Sequence, residues 1–180
     1  MVDTTLIVTQ GLGYAMILAH VVLVLYALGL ALFPQAQTLK SFTFLAVRYR
    51  LHIACLITVA ATIGSIALSE LAGLAPCSLC WIQRALMYPL AALFLYGVFR
   101  KDERVFWYAL PFVFFGILVA AYHYLIQFTG VPAVCSIGTG PSCSEKVLLF
   151  AGYITIPMMS LTSFVVILLL GTIKRWTKKE

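Results

Sequence analysis

Five long apolar stretches, separated by short charged clusters, constrain this chain more than any other feature. A bilayer core of about 30 Å takes roughly 20 apolar residues per helix. The stretches lie within Leu6–Phe33, from Leu51 to about Gly73, over Ala85–Phe99, from Val105 to about Phe128, and over Val147–Ile173. Pro34 ends the first, and Gly130 and Pro132 stop the fourth. The third, between Arg84 and Arg100, is too short to cross at about 1.5 Å per residue. Its helix is therefore expected to begin earlier, near Cys77 to Trp81, which places Arg84 inside it. Composition agrees: the chain is 63% hydrophobic and 10% charged, with mean hydropathy +1.04, where soluble domains carry about 25% charged residues. The expected fold class is all-α, an integral membrane helical bundle with five transmembrane helices.

A net charge of +6 would point to nucleic acid in a soluble protein. Here the placement of the charges makes it a topology signal, and no nucleic-acid partner is expected. Lys40, Arg48 and Arg50 fall between the first two stretches, and Arg100, Lys101 and Arg104 between the third and fourth. Lys174, Arg175, Lys178 and Lys179 follow the fifth, while Arg84 and Lys146 alone fall in the alternating regions. Lys and Arg collect on the cytoplasmic side, so the N-terminus is expected outside and the C-terminus inside. The only charge near the N-terminus is Asp3, not the basic region of a cleavable signal, so the first segment is expected to remain. Residues 40–50 could form a short amphipathic helix on the inner surface.

This orientation puts Cys77, Cys80, Cys135 and Cys143 on the outer side, where disulfides persist. Cys55 lies in a membrane segment and reads as a small buried hydrophobe. Cys77-Ser-Leu-Cys80 is a C-x-x-C, whose spacing lets two sulfurs meet across one turn. Pro76 precedes it and a helix follows, so the sulfurs sit at a helix N-terminus, where free N–H groups and the dipole favour a thiolate. Arg84, four residues after Cys80 on the same face, adds positive charge. Cys80 is thus the expected reactive thiolate. Cys135 and Cys143 flank a turn-rich run that closes a disulfide easily and suits exchange with another protein. Two alternatives compete: structural disulfides, and a four-cysteine zinc site that the outer, membrane-edge location argues against, so no metal is expected.

A dithiol that accepts electrons has to pass them on, and no bound carrier is evident. Gly11-Leu12-Gly13 lacks the third glycine of a dinucleotide fingerprint. His20, His52 and His123 show no paired haem-ligand pattern. A diffusible quinone fits best. His123, between Tyr122 and Tyr124 near the outer end of the fourth segment, could donate to a quinone oxygen or simply be a hydrogen-bonded interfacial histidine. His52 reads as interfacial, and the sequence assigns His20 no role.

Residues 76–90, Pro-Cys-Ser-Leu-Cys-Trp-Ile-Gln-Arg-Ala-Leu-Met-Tyr-Pro-Leu, resemble the signature of the disulfide-bond formation protein B family, DsbB, and its Gram-positive-type relatives called BdbC. Ile154-Thr-Ile-Pro157 resembles the latter group. The similarity covers roughly residues 47–175. The related vitamin K epoxide reductase family usually has its loop pair before the C-x-x-C, and here it comes after. The resemblance implies a four-helix membrane core over 47–180, with residues 1–46 adding an extra transmembrane helix and a cytoplasmic loop. It implies a multi-pass protein of a bacterial or archaeal cytoplasmic membrane. Its implied activity is reoxidation of an extracytoplasmic thioredoxin-fold oxidase of the DsbA or BdbD type and reduction of a quinone, ubiquinone or menaquinone. By the same resemblance Cys135 exchanges with the partner, and Cys143 pairs with it and forms a transient disulfide with Cys77. Cys80 then faces the quinone, beside Arg84 and His123. Two features depart from the family: the extra helix, and only seven residues between Cys135 and Cys143. The competing readings are a non-enzymatic scaffold with structural disulfides and a reductase that runs electrons outward.

Overall fold

The computed structural model describes residues 2–33, 35–130, 141–146 and 148–177. Among these residues five helices follow one another: α1 Val2–Leu32, α2 Gln37–Glu70, α3 Ser78–Arg100, α4 Val105–Thr129 and α5 Ile156–Thr177. Each is long and apolar enough to cross a membrane, which is the all-α membrane bundle the apolar stretches predict. In hydrocarbon every backbone polar group has to be satisfied within the segment, and helices do this.

The helix ends carry the information the apolar stretches lack. Cys77 caps α3: its extended backbone stops the helix and its sulfur accepts the Cys80 N–H. At the other end Lys101 is left-handed (φ 52°), and the Asp102 N–H reaches back to the Gly97 carbonyl at 3.0 Å. Gly130 closes α4 in the same conformation (φ 66°), where a side chain would be strained.

Two boundaries differ from the sequence expectation. α2 begins at Gln37, not near Leu51, so the separate short helix expected over 40–50 is the first part of α2 itself. At 34 residues it is about 50 Å long, well beyond a bilayer core. Apolar composition marks where the membrane lies; helical hydrogen bonding continues past it. Conversely α5 begins at Ile156, not at Val147. The preceding residues make a tight turn in which Phe150 and Ile154 pair, with Ala151 and Gly152 at positive φ. Leu148 and Ile154 are buried there, so apolar residues plug the bundle end without being helical.

α2 packs against α3 and α5, α3 against α4, and α4 against α5, closing a ring of four, while α1 lies outside it along α2. The core of the ring is built from Leu90, Phe94, Val113, Phe164 and Ile167. Small residues let the helices approach. A Cβ on Gly116 would stand 2.5 Å from the Phe164 ring, and one on Gly97 would stand 2.8 Å from Val105. Arg50 closes the α3–α4 end, pairing with Glu103 at 2.8 Å and lying 4.7 Å over the Phe106 ring.

Candidate functional site

The site forms where the α3 N-terminus meets α2, the end of α4 and residues 141–145. Helical spacing puts Cys80, Gln83 and Arg84 on one face of α3. Cys77, at the cap, points toward His123 of α4. The two sulfurs of the C-x-x-C stand 2.8 Å apart and both are free thiols. Cys77 Sγ is 3.7 Å from His123 Nε2.

His123 is 1% exposed, and its surroundings fix its tautomer. Its Nε2 lies 3.2 Å from the Cys143 carbonyl oxygen, which only accepts, so Nε2 carries a proton. Its Nδ1 then accepts from Gln83 Nε2 at 3.0 Å. One N–H is thereby aimed at both the Cys77 sulfur and the Cys143 backbone. Cys77 lies just outside the span that begins at Ser78. The hydrogen bond from the Cys80 thiol holds its pKa down to about 4; burial opposes this, and His123 adds to it. The thiolate-favouring contacts therefore gather on Cys77, the residue the sequence reading treats as the relay.

Arg84 turns to α2. Its Nε donates to Ser65 Oγ and its Nη2 to the Ser65 carbonyl, both at 2.8 Å, and Nη2 also donates to Ser69 Oγ. The guanidinium lies 5.2 Å over the Trp81 ring. Its Nη1 has no acceptor among the described residues.

Cys77, Cys80, Gln83, Arg84 and His123 all line one cavity of about 330 Å³, within the usual range for small-molecule sites. Gln127 lines it too, its Nε2 donating to the Glu145 carbonyl at 3.1 Å and its Oε1 buried without a partner among the described residues. Cys143 is disulfide-bonded and 1% exposed, and packs in one buried cluster with Cys77, Leu79 and Ile126. Cys135 lies outside the described residues. Cys55 is free and packs beside the ring core, away from this group.

Cys77, Cys80 and His123 offer donor atoms within 4.8 Å of one another, a set that could hold a soft metal ion when both thiols are reduced. No fourth His, Cys, Asp or Glu joins them among the described residues. Sequence reasoning assigned no role to Gln83, Gln127, Ser65 or Ser69. Gln83 carried a signal: a second polar residue beside Arg84 in an apolar helix, three places after Cys80. Ser65 and Ser69, one turn apart near the end of α2, carried a weaker one.

The family model described as "Disulfide bond formation protein DsbB" matches residues 47–173. The probable disulfide formation protein C 2 of Bacillus cereus is 41% identical over 125 residues, 68% of this chain and 88% of that protein. The disulfide bond formation protein C of Bacillus subtilis is 34% identical over 134 residues, 72% of this chain and 95% of that protein. A probable disulfide formation protein of Metapseudomonas resinovorans is 35% identical over 123 residues, 67% of this chain and 85% of that protein. No solved structure matches at a significant level.

Proposed function

The chain belongs to the disulfide bond formation protein DsbB family, a membrane disulfide-forming oxidoreductase, and from that premise we propose that it passes electrons from an extracytoplasmic thioredoxin-fold oxidase to a membrane quinone. The observation that carries this reading is the position of Cys77. On one side it meets Cys80 at the cavity, and on the other His123 and the buried segment of Cys143.

The steps balance as disulfide exchanges. A partner thiolate attacks Cys135 Sγ; the Cys135–Cys143 bond breaks and Cys143 leaves as a thiolate. The burial of Cys143 supports Cys135 as the sulfur attacked, because exchange needs an accessible one. The partner's second thiolate releases Cys135 and departs as a disulfide. Cys143 then attacks Cys77 of an oxidised Cys77–Cys80 pair and expels the Cys80 thiolate into the cavity. Cys135 re-forms its bond with Cys143 and frees Cys77, whose thiolate His123 Nε2–H stabilises. Two electrons now rest on Cys77 and Cys80. A quinone, when bound, takes up two electrons and two protons, and the Cys77–Cys80 bond returns.

The cavity suits such an acceptor. Its walls are mostly apolar, and Arg84 and Gln127 line it, Gln127 Oε1 having no partner among the described residues. The distribution of Lys and Arg supports an outward-facing N-terminus and outward-facing cysteines in a bacterial cytoplasmic membrane. The family match begins at residue 47, which supports residues 1–46 as an addition to the family core. The test is quinone reduction by purified protein supplied with a reduced thioredoxin-fold oxidase. Cys80→Ser is expected to abolish it, and an intact rate in that variant would overturn the mechanism.

A further inference from the structure

α1 lies wholly outside the span that matches the family, residues 47–173, yet four of its residues line the cavity: Leu12, Ala15, Met16 and Ala19. Their spacing is i, i+3, i+4, i+7, a single face of a helix. Outside this stripe Leu18 and Leu25 are both more than 60% exposed, as a lipid-facing surface would be.

The helix is held at three places around that face. Leu12 packs where a Cβ on Gly64 of α2 would stand, at 3.3 Å. Gly13 lies under the Phe150 ring, so close that a Cβ would come within 2.6 Å of it. His20 Nε2 is 2.9 Å from Thr162 Oγ1 of α5, and its Nδ1 is 3.2 Å from the Tyr153 hydroxyl. His20, unassigned by the sequence, is thus the latch between α1 and α5. Inside these clamps the facing residues are small, Ala15 and Ala19 on α1 and Ala61 on α2, and a channel remains between the helices. The same cavity is lined by Cys80, Arg84 and His123.

An apolar channel continuous with a polar redox end matches a ligand with a polar ring and an apolar tail. We propose that α1 is the lateral wall of the quinone site and that its Leu12–Ala15–Met16–Ala19 stripe binds the isoprenoid tail, making the chain selective for tailed quinones. This rests on the quinone reading above and assigns the extra helix its purpose. An unfilled channel would lack dispersion contacts along its lining, which a tail supplies.

The experiment compares quinones that share one ring and differ only in the tail: none, one isoprene unit, or several. Ala19→Trp fills the channel and Ala19→Leu narrows it. Leu18→Trp puts the same bulk on the lipid face. We expect the preference for tailed over tail-less quinone, as a ratio of kcat/KM, to fall about tenfold or more in Ala19→Trp and less in Ala19→Leu, as hydrophobic pockets discriminate. Leu18→Trp keeps the wild-type ratio. Should Ala19→Trp not accumulate, Ala19→Leu carries the test. An unchanged ratio in the Ala19 variants, or a wild-type protein with no tail preference, overturns the proposal while leaving quinone reduction intact. Extraction of the wild-type protein with a phospholipid in place of quinone, displaced by Ala19→Trp, overturns it too. If the wild type reduces no quinone at all, the functional reading falls first and this one with it.

Discussion

Two arginines stand within the helical ring, at opposite ends, and they are held in opposite ways. Arg50 meets a carboxylate: its Nη2 and Nε reach the two oxygens of Glu103 at 2.8 and 3.3 Å, and Phe106 covers its face. Arg84 meets no carboxylate among the described residues. Two serine hydroxyls and a carbonyl hold it, all neutral acceptors, and the residue lines the cavity. A paired charge is spent on holding the α3–α4 turn to α2. A charge oriented by neutral groups keeps its field for something that arrives, and charges inside a membrane span are costly enough that this usually marks function.

The comparison yields predictions that can break it. The largest effect is expected at Arg84: Arg84→Gln should lower kcat/KM for quinone by about 100-fold, the scale of losing a pre-oriented donor, with thermal stability nearly kept. Steady-state quinone reduction and unfolding in detergent together check this, and a variant that unfolds early while its kinetics hold would invert the assignment. Arg50→Gln should do the reverse. Loss of the pair with Glu103, itself 43% exposed, should lower stability by about 1–3 kcal/mol and leave quinone kinetics as they are.

A smaller effect sharpens the Arg84 end. Gln83→Leu removes the donor to His123 Nδ1 and frees the ring to turn. About tenfold slower transfer from Cys143 to Cys77 is expected, as for lost orienting partners elsewhere, visible as accumulation of reduced Cys143 in thiol trapping. Unaltered trapping would make Gln83 a packing residue. The smallest effect is on pH dependence. Cys77 is an acid whose folded pKa is lowered to about 4, so its thiolate should persist above that value and disappear below it. In reduced protein the rate of Cys77 alkylation, followed by mass spectrometry, should stay flat from about pH 8 down to 5 and fall toward pH 4. Cys80→Ala removes the largest cause and should move the fall upward. A rate that climbs steadily from pH 6 to 9 in the wild-type chain would contradict the hydrogen-bonded thiolate.

How much of the site was legible varies with the kind of residue. Cys77, Cys80 and Arg84 were readable because their relation is local, one or two helical turns in a single segment. His123 was readable as a titratable group in an apolar stretch, but not as the neighbour of Cys77 and Cys143, which belong to other segments. The charge at Arg84 was expected to act on Cys80 because the two stand four residues apart on one helical face. Ser65 and Ser69 come from α2, and they decide where the guanidinium rests. Likewise the helix-start argument gave the thiolate to Cys80, whereas the contacts that favour one converge on Cys77, the cap residue facing His123.

The sequence by itself determined that the chain crosses a membrane five times, because hydrocarbon admits only long apolar helices and every such run is a local property. It also determined that α3 starts at the C-x-x-C, because the apolar run alone was too short to cross. Tertiary structure alone decided that α2 extends to Gln37 and that residues 148–155 turn rather than spiral, since helix limits there depend on caps and packing. It alone decided that α1, through His20 and the stripe from Leu12 to Ala19, forms part of the cavity. Contacts between segments far apart in the chain leave no periodicity in either one. Only the packed bundle shows which polar groups of different helices share a space.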